Sequence, residues 1–170
     1  PYTPRIKDSV IYDLTVHDID LACWLADGNP TEVSASGLSV YSDTIDAASS
    51  VIKFDNGCIA TLQTSRITQD KVRKISITDE DSYIIANTIR QDIEIKRQAE
   101  VSFKTLKGEI AFSQSSVVEI PTFDRGGEPL QREQDDFYDA VLNNRKPTVS
   151  GEDGLRAIEL VDQIETLCRQ

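Results

Sequence analysis

The 170-residue chain contains one histidine, one tryptophan, three cysteines and no methionine. Its uncharged apolar runs are only a few residues long, so we expect neither a membrane span nor an apolar signal core at the N-terminus. Cys23, Cys58 and Cys168 lie far apart, and none shares a CxxC motif or a nearby histidine, which argues against zinc. We therefore expect a cytoplasmic protein with no metal, whose reduced cysteines pack in the interior.

Positive charge is also scarce. The chain carries 18 lysines and arginines against 29 acidic residues, which gives a net charge of −11. A protein of this sign repels phosphate backbones and anionic lipid surfaces. We therefore expect neither nucleic acid nor a membrane as a partner.

Phosphate-binding glycine turns are absent from the sequence. The close glycines are Gly126 with Gly127 and Gly151 with Gly154, and neither pair forms the GxGxxG turn of a dinucleotide-binding domain. The P-loop and the GxSxG nucleophile elbow are missing too, and a Ser-His-Asp triad is possible only around His17. The chain therefore contains no recognisable cofactor-binding residues, and we expect it to bind no nicotinamide cofactor by itself.

The pattern is helix-like at the start, strand-like in the middle and helix-like at the end, which favours an α+β fold over alternating βαβ units. Apolar spacing predicts a helix over 13–26, which Asp27-Gly28-Asn29-Pro30 ends. Two further helices are predicted over 130–141 and after an N-cap at Ser150. The length fits one domain over residues 1–170.

The middle of the chain has the period-two, β-branched pattern of strands. Asp55-Asn56-Gly57 predicts a hairpin turn between two such runs. Further strands are predicted over 71–78, 83–86, 93–96, 101–106 and 117–120. We expect at least six mostly antiparallel strands in an open sheet, with helices on one face and water or a partner on the other.

Asp13 and His17 form the arrangement with the clearest chemical potential. On an α-helix residues four apart share a face, so the carboxylate can hydrogen-bond one imidazole nitrogen and orient the ring. The same charge favours the imidazolium that forms when the other nitrogen takes a proton from a substrate hydroxyl, as a general base does. Two alternatives remain open: a pair that only stabilises the helix, or a histidine buried in the core.

The segment from Asp13 to Leu25, with His17 and Asp20, resembles the D-x-x-x-H-x-x-D…WL signature of a known family. This is the glucose–fructose oxidoreductase/inositol dehydrogenase/MocA (Gfo/Idh/MocA) family of NAD(P)-dependent sugar oxidoreductases, in which the signature opens the C-terminal domain. Residues 54–60 resemble the family's F-x-N-G-x-x-A hairpin. Segments 65–75 and 128–157 resemble its next strand pair and its two closing helices.

The resemblance implies an open, mainly antiparallel sheet with helices on one face, the C-terminal fold of glyceraldehyde-3-phosphate dehydrogenase-like enzymes. It also implies a missing N-terminal dinucleotide-binding domain. Asp13 and His17 match residues near the sugar carbon, where the histidine, or a lysine of the other domain, takes the hydroxyl proton while a hydride leaves for NAD or NADP. Asp20 matches a position that we interpret as structural. Arg5 is a candidate contact for an anionic group of a nucleotide sugar, or an ordinary surface arginine.

These implications predict the substrate and oligomerisation domain of an NAD(P)-dependent oxidoreductase that acts on a hydroxyl of a sugar, nucleotide sugar or cyclitol. The domain alone is expected to be inactive. Two alternatives are a cofactor-free dimerisation or ligand-binding module and an NAD-dependent glycoside-cleaving relative. Because apolar residues such as Val51 and Ile52 occur on both sides of several strands, we also expect a homodimer or homotetramer formed through sheet faces.

Overall fold

The computed structural model describes residues 8–67, 71–104, 110–122 and 128–170. The chain divides into two compact units, Pro1–Gln69 with Leu130–Gln170 and Asp70–Pro129. The helices are a π-helical turn (Ile11–Thr15), α1 (Val16–Ala26), α2 (Pro129–Leu142) and α3 (Gly151–Cys168). The strands are β1 (Pro30–Leu38), β2 (Ala47–Phe54), β3 (Ile59–Ser65), β4 (Lys74–Thr78), β5 (Ser82–Asn87), β6 (Asp92–Lys104) and β7 (Ile110–Glu119). No helix of the described residues is long and apolar enough to cross a membrane.

In the first unit, β1, β2 and β3 form an antiparallel sheet with β2 in the centre. Strand β2 alternates, so that Ile52 and Phe54 face the core while Lys53 faces water. Helices α1 and α3 complete the core on that face, and Ile19 and Ile164 are fully buried there. The sheet therefore has one helix-covered face and one wet face.

The β2–β3 hairpin confirms the prediction from Asn56-Gly57. Gly57 adopts a φ of 87°, which a residue without a side chain reaches at little cost. The turn also holds the end of α1, because Asn56 Nδ2 donates to the carbonyl oxygen of Ala26 at 2.6 Å. The Asp55 carboxylate accepts two hydrogen bonds of 2.9 Å from the side chain and N–H of Asn29, which lower the pKa of Asp55.

In the second unit, β4 to β7 form a four-stranded antiparallel sheet in sequence order. The register places Ile77, Ile84 and Ile95 side by side on one face. The same face carries Ile75, Ala86 and Ile93, and we call these six residues the aliphatic face. Each of them is only half-buried, and no helix is present in the described residues of this unit.

The fold class is confirmed: the chain is α+β with antiparallel strands, and the helices predicted over 130–141 and after Ser150 are α2 and α3. Several details differ. Strand β4 begins at Lys74 rather than at residue 71, and the strand predicted over 117–120 is the end of the longer β7. The described strands form two sheets rather than one. The strands predicted over 93–96 and 101–106 are a single strand, β6, as far as Lys104. The first helix begins at Ile11, before the predicted residue 13, because buried Val10 and Ile11 already belong to the core.

Candidate functional site

The candidate site begins at the π-helical turn. Its bonding pattern runs from residue i to i+5, since the N–H of Val16 donates to the carbonyl oxygen of Ile11. Thr15 is buried, and its hydroxyl donates to the Thr64 hydroxyl on β3 at 2.9 Å. The turn that precedes His17 is therefore fixed to the sheet by a buried hydrogen bond.

Asp13 lies half-buried in this turn, and His17 lies exposed in the first turn of α1. Within the described part of the chain, no hydrogen bond or ion pair joins the two side chains. The predicted contact fails because the i to i+5 turn holds more residues than an α-helical turn, so the four-residue spacing no longer aligns the two side chains. The exposure of His17 also makes the core-histidine interpretation wrong.

The side of α1 that faces the core is not the side that carries its large apolar residues Leu21 and Trp24. The buried residues are Ile19, Cys23 and Ala26. Leu21 and Trp24 are exposed, Trp24 to 71%. They follow His17 at i+4 and i+7, so the three share one side of the helix. We call this the His17 face (His17, Leu21, Trp24), and it is an open surface in this chain.

Asp20 is half-buried, three residues after His17. Arg5 lies outside the described residues. The described residues contain no cluster of three or more histidine, cysteine or acidic side chains placed to hold a metal ion.

The three cysteines are free thiols and do not share one environment. Cys23 is buried and Cys168 half-buried, and burial raises the pKa of both thiols. Cys58 is exposed next to the hairpin turn, so the expectation of interior packing is wrong for this residue. Turn geometry places Cys58 at the surface because the residue follows Gly57 outside the sheet core.

The N-termini of α1 and α3 do not fit a dinucleotide pyrophosphate. At α3 the Ser150 side chain accepts from the N–H of Asp153, and Asp153 accepts from the N–H of Ser150 at 2.9 Å. This capping box bonds two amides at the start of the helix and places a carboxylate where a phosphate would lie. The hydrogen bonds from Ser150 lower the pKa of Asp153. Helix α1 continues from the π-helical turn, so its first amides are already bonded.

Sequence reasoning missed a buried carboxylate in the first unit. Burial disfavours the charge on Asp46, but hydrogen bonds from the N–H groups of Tyr41, Val40 and Ser42 outweigh it and lower the pKa to about 2. Arg66 adds a positive charge, with Nε 4.0 Å from Oδ1 of Asp46. An aspartate before a strand is too common a signal to predict this arrangement.

The same arginine reaches the segment before the π-helical turn. Arg66 Nη2 donates to the carbonyl oxygen of Asp8 at 2.6 Å, and the N–H of Val10 donates to the carbonyl oxygen of Ile45 at 2.8 Å. The Asp46–Arg66 pair therefore helps to hold the chain that leads into Asp13 and His17. Its role in the site is one of support.

The sequence matches one family. The family model of the GFO/IDH/MocA C-terminal domain matches residues 2–88, just over half of the chain. The chain belongs to this family.

Its relatives include oxidoreductases that act on sugars. A UDP-N-acetylglucosamine 3-dehydrogenase from Acidithiobacillus ferrooxidans is 27% identical over 165 residues, which are 96% of this chain and 50% of that protein. A solved structure of UDP-N-acetylglucosamine 3-dehydrogenase from the same species has a TM-score of 0.79 at 26% identity, covering 98% of this chain and 51% of that one.

An oxidoreductase from Agrobacterium radiobacter, solved in complex with NAD+, L-tartaric acid and magnesium, shares the fold with a TM-score of 0.69. Its identity is 17%, and the match covers 99% of this chain and 50% of that one. The chain thus spans about half the length of the relatives it matches.

Proposed function

We propose that this chain is the substrate and oligomerisation domain of an NAD(P)-dependent oxidoreductase that oxidises a hydroxyl of a sugar, nucleotide sugar or cyclitol. The observation that carries the proposal is the match over 96% of the chain to a UDP-N-acetylglucosamine 3-dehydrogenase. The exposed position of His17 supports it, because a proton acceptor must be open to the substrate. A nucleotide sugar also carries the anionic group that the proposal assigns to Arg5.

Oxidation of a secondary alcohol to a ketone removes a hydride from carbon and a proton from oxygen. A bound nicotinamide supplies the hydride acceptor. This chain supplies the proton acceptor: the neutral imidazole of His17 takes the hydroxyl proton and becomes an imidazolium. Asp13 lies half-buried on the preceding turn and is the second catalytic candidate of this proposal.

We assign NAD or NADP binding to a dinucleotide-binding domain outside this chain. Two features support that assignment: the sequence has no GxGxxG turn, and the N-terminus of α1 is already bonded while that of α3 carries the Asp153 carboxylate. The 170-residue chain alone should therefore bind neither NADH nor NADPH with micromolar affinity. Titration calorimetry tests this, and micromolar binding would contradict the assignment.

The decisive experiment uses the polypeptide that carries both domains, with UDP-N-acetylglucosamine and other sugars as substrates and the absorbance of reduced nicotinamide as readout. His17→Asn should lower kcat about 10²- to 10⁴-fold, the usual contribution of a placed general base. Asp13→Asn should cost less, since the imidazole remains. Asp27→Asn, at the far end of α1, is the matched control; Asp27 has a φ of 49°, which asparagine tolerates.

Melting temperatures of the same variants separate catalysis from stability. A helix-stabilising role for Asp13 and His17 predicts lower melting temperatures with unchanged turnover. A His17→Asn enzyme with near-parent turnover would end the catalytic assignment.

A further inference from the structure

Helix α2 presents large apolar side chains to solvent. Leu130, Phe137 and Val141 occur at i, i+7 and i+11 and therefore lie along one side of the helix. They are exposed to 64%, 56% and 64%, whereas the buried residue of α2 is Ala140. We call these three residues the α2 stripe.

The exposure of the α2 stripe does not come from a loose helix. Arg145 donates to Asp136 and to Asp139, each at 2.7 Å. The N–H of Thr148 also donates to Asp136 at 2.8 Å. Charge-assisted bonds of this length fix the helix against the segment that follows it, so the stripe is held in one orientation.

A groove lies beside the stripe. Phe137 and Tyr138 pack edge to face, with ring centroids 6.3 Å apart, and together with residues 147–149 they line a groove of about 550 Å³. Val149, which also lines the groove, is itself exposed. Charged and polar residues of α2 (Arg132, Glu133, Gln134, Asp136) complete the lining of the groove. A fixed apolar stripe beside a groove with both apolar and charged walls is an arrangement that receives another packed element.

We propose that the α2 stripe and its groove are a docking surface for the dinucleotide-binding domain of the same polypeptide. This inference rests on the proposed function. The chain belongs to a C-terminal domain family and covers 50% of the length of the UDP-N-acetylglucosamine 3-dehydrogenase compared above, so in such a protein as many residues again lie outside the matched part. That remaining half is an occupant of sufficient size.

The area of the surface favours a tethered occupant over a second copy. A 14-residue helix is about 21 Å long and about 10 Å wide, so the stripe offers roughly 200 Å². A stable association of separate proteins buries about 800 Å² per partner. A domain in the same polypeptide needs less, because the tether raises its effective concentration.

Hydrogen exchange tests the docking directly. The amides of α2 should exchange about tenfold more slowly in the polypeptide with both domains than in the 170-residue chain. Phe137→Ser should remove that protection. Leu142→Ser, an apolar residue of α2 that is 83% exposed and lies off the stripe, is the matched control and should keep the protection. In the 170-residue chain both variants should melt within a degree or two of the parent, because both side chains are exposed.

The outcomes separate this inference from the proposed function. Equal exchange of α2 in the two proteins overturns the docking, whether or not the two-domain polypeptide is an active oxidoreductase. Protection with no activity supports the docking and counts against the proposed function. Light scattering that shows a dimer of the 170-residue chain, dissociated by Phe137→Ser but not by Leu142→Ser, would assign the surface to a second copy and overturn the proposal.

Discussion

The two units of this chain differ in how deeply their apolar side chains are buried. Every fully buried aliphatic side chain among the described residues lies in the first unit, where α1 and α3 cover the β1–β3 sheet. In the second unit the aliphatic face of β4–β6 has comparable side chains in a comparable register, yet each is only half-buried. The comparison shows that alternation in a strand defines a face, while burial of that face requires a second layer.

The largest expected effect tests this difference. Ile52→Ala should lower the free energy of unfolding by about 3 kcal/mol, because the side chain is fully buried beneath the helices. The matched change Ile77→Ala, on the aliphatic face, should cost less than half as much. Urea unfolding followed by circular dichroism measures both.

Equal costs would show that the second unit is buried as deeply as the first in solution. The shape of the same curves bears on domain organisation. A single transition supports the prediction of one domain over residues 1–170, and two transitions would contradict it.

The second effect concerns pH. Asp46 has a pKa of about 2 in the folded chain, against about 3.9 in an unfolded one. Because the folded pKa is lower, this group stabilises the fold above about pH 4, and the stabilisation is lost as the pH falls toward 2. Asp46→Asn should cost about 2 kcal/mol near neutral pH through weakened charge-assisted hydrogen bonds.

The Asp46→Asn variant should also lose part of the acid dependence, which thermal melts between pH 2 and pH 6 would measure. Asp43→Asn, an exposed residue of the same loop, provides the control. If the melting temperatures of the parent and of Asp46→Asn fall in parallel with pH, the Asp46 carboxylate is not the cause of the acid destabilisation.

The features that sequence predicted are local. The Asn56-Gly57 hairpin turn and the N-cap at Ser150 each depend on residues within a few positions of one another, and both are confirmed. The missed features depend on tertiary contacts. The π-helical turn is fixed by the hydrogen bond from Thr15 to Thr64 on β3. Asp46 lies near Arg66, which is 20 positions later and directly follows β3.

In the candidate site, too, the sequence predicts local features and misses those that depend on tertiary contacts. The sequence places Asp13 and His17 four residues apart, but their relative orientation depends on the turn type, which tertiary packing decides. The side of α1 that faces the core was also unpredictable, because Leu21 and Trp24 are as apolar as the residues that are buried. Composition cannot distinguish a helix face that packs in the core from an apolar face that is exposed.

A smaller effect tests the local part of this argument. Ser150→Ala should lower the free energy of unfolding by about 1 kcal/mol, since Ser150 is buried and caps the helix that closes the first unit. Ser36→Ala, on the exposed side of β1, should change it by less than about 0.5 kcal/mol. Equal effects would mean that the cap adds nothing measurable to α3.

The smallest expected effect on folding is also the sharpest test of the second unit. The sequence predicts a homodimer or homotetramer through sheet faces without saying which face. If the aliphatic face is the one that meets its copy, Ile84→Thr should weaken the oligomer while it changes monomer unfolding by about 1 kcal/mol or less. The sheet is large enough: four strands at about 4.8 Å span roughly 19 Å, and the 13 residues of β6 extend about 43 Å. Ile85→Thr is the matched control, because Ile85 pairs with Ser76 and Glu94 on the other face.

Light scattering at tens of micromolar should show a dimer for the parent and the control and a shift toward monomer for Ile84→Thr. Added salt should favour the dimer, since each copy carries a net charge of −11. A monomeric parent, or equal behaviour of the two variants, would show that something other than a second copy covers the aliphatic face.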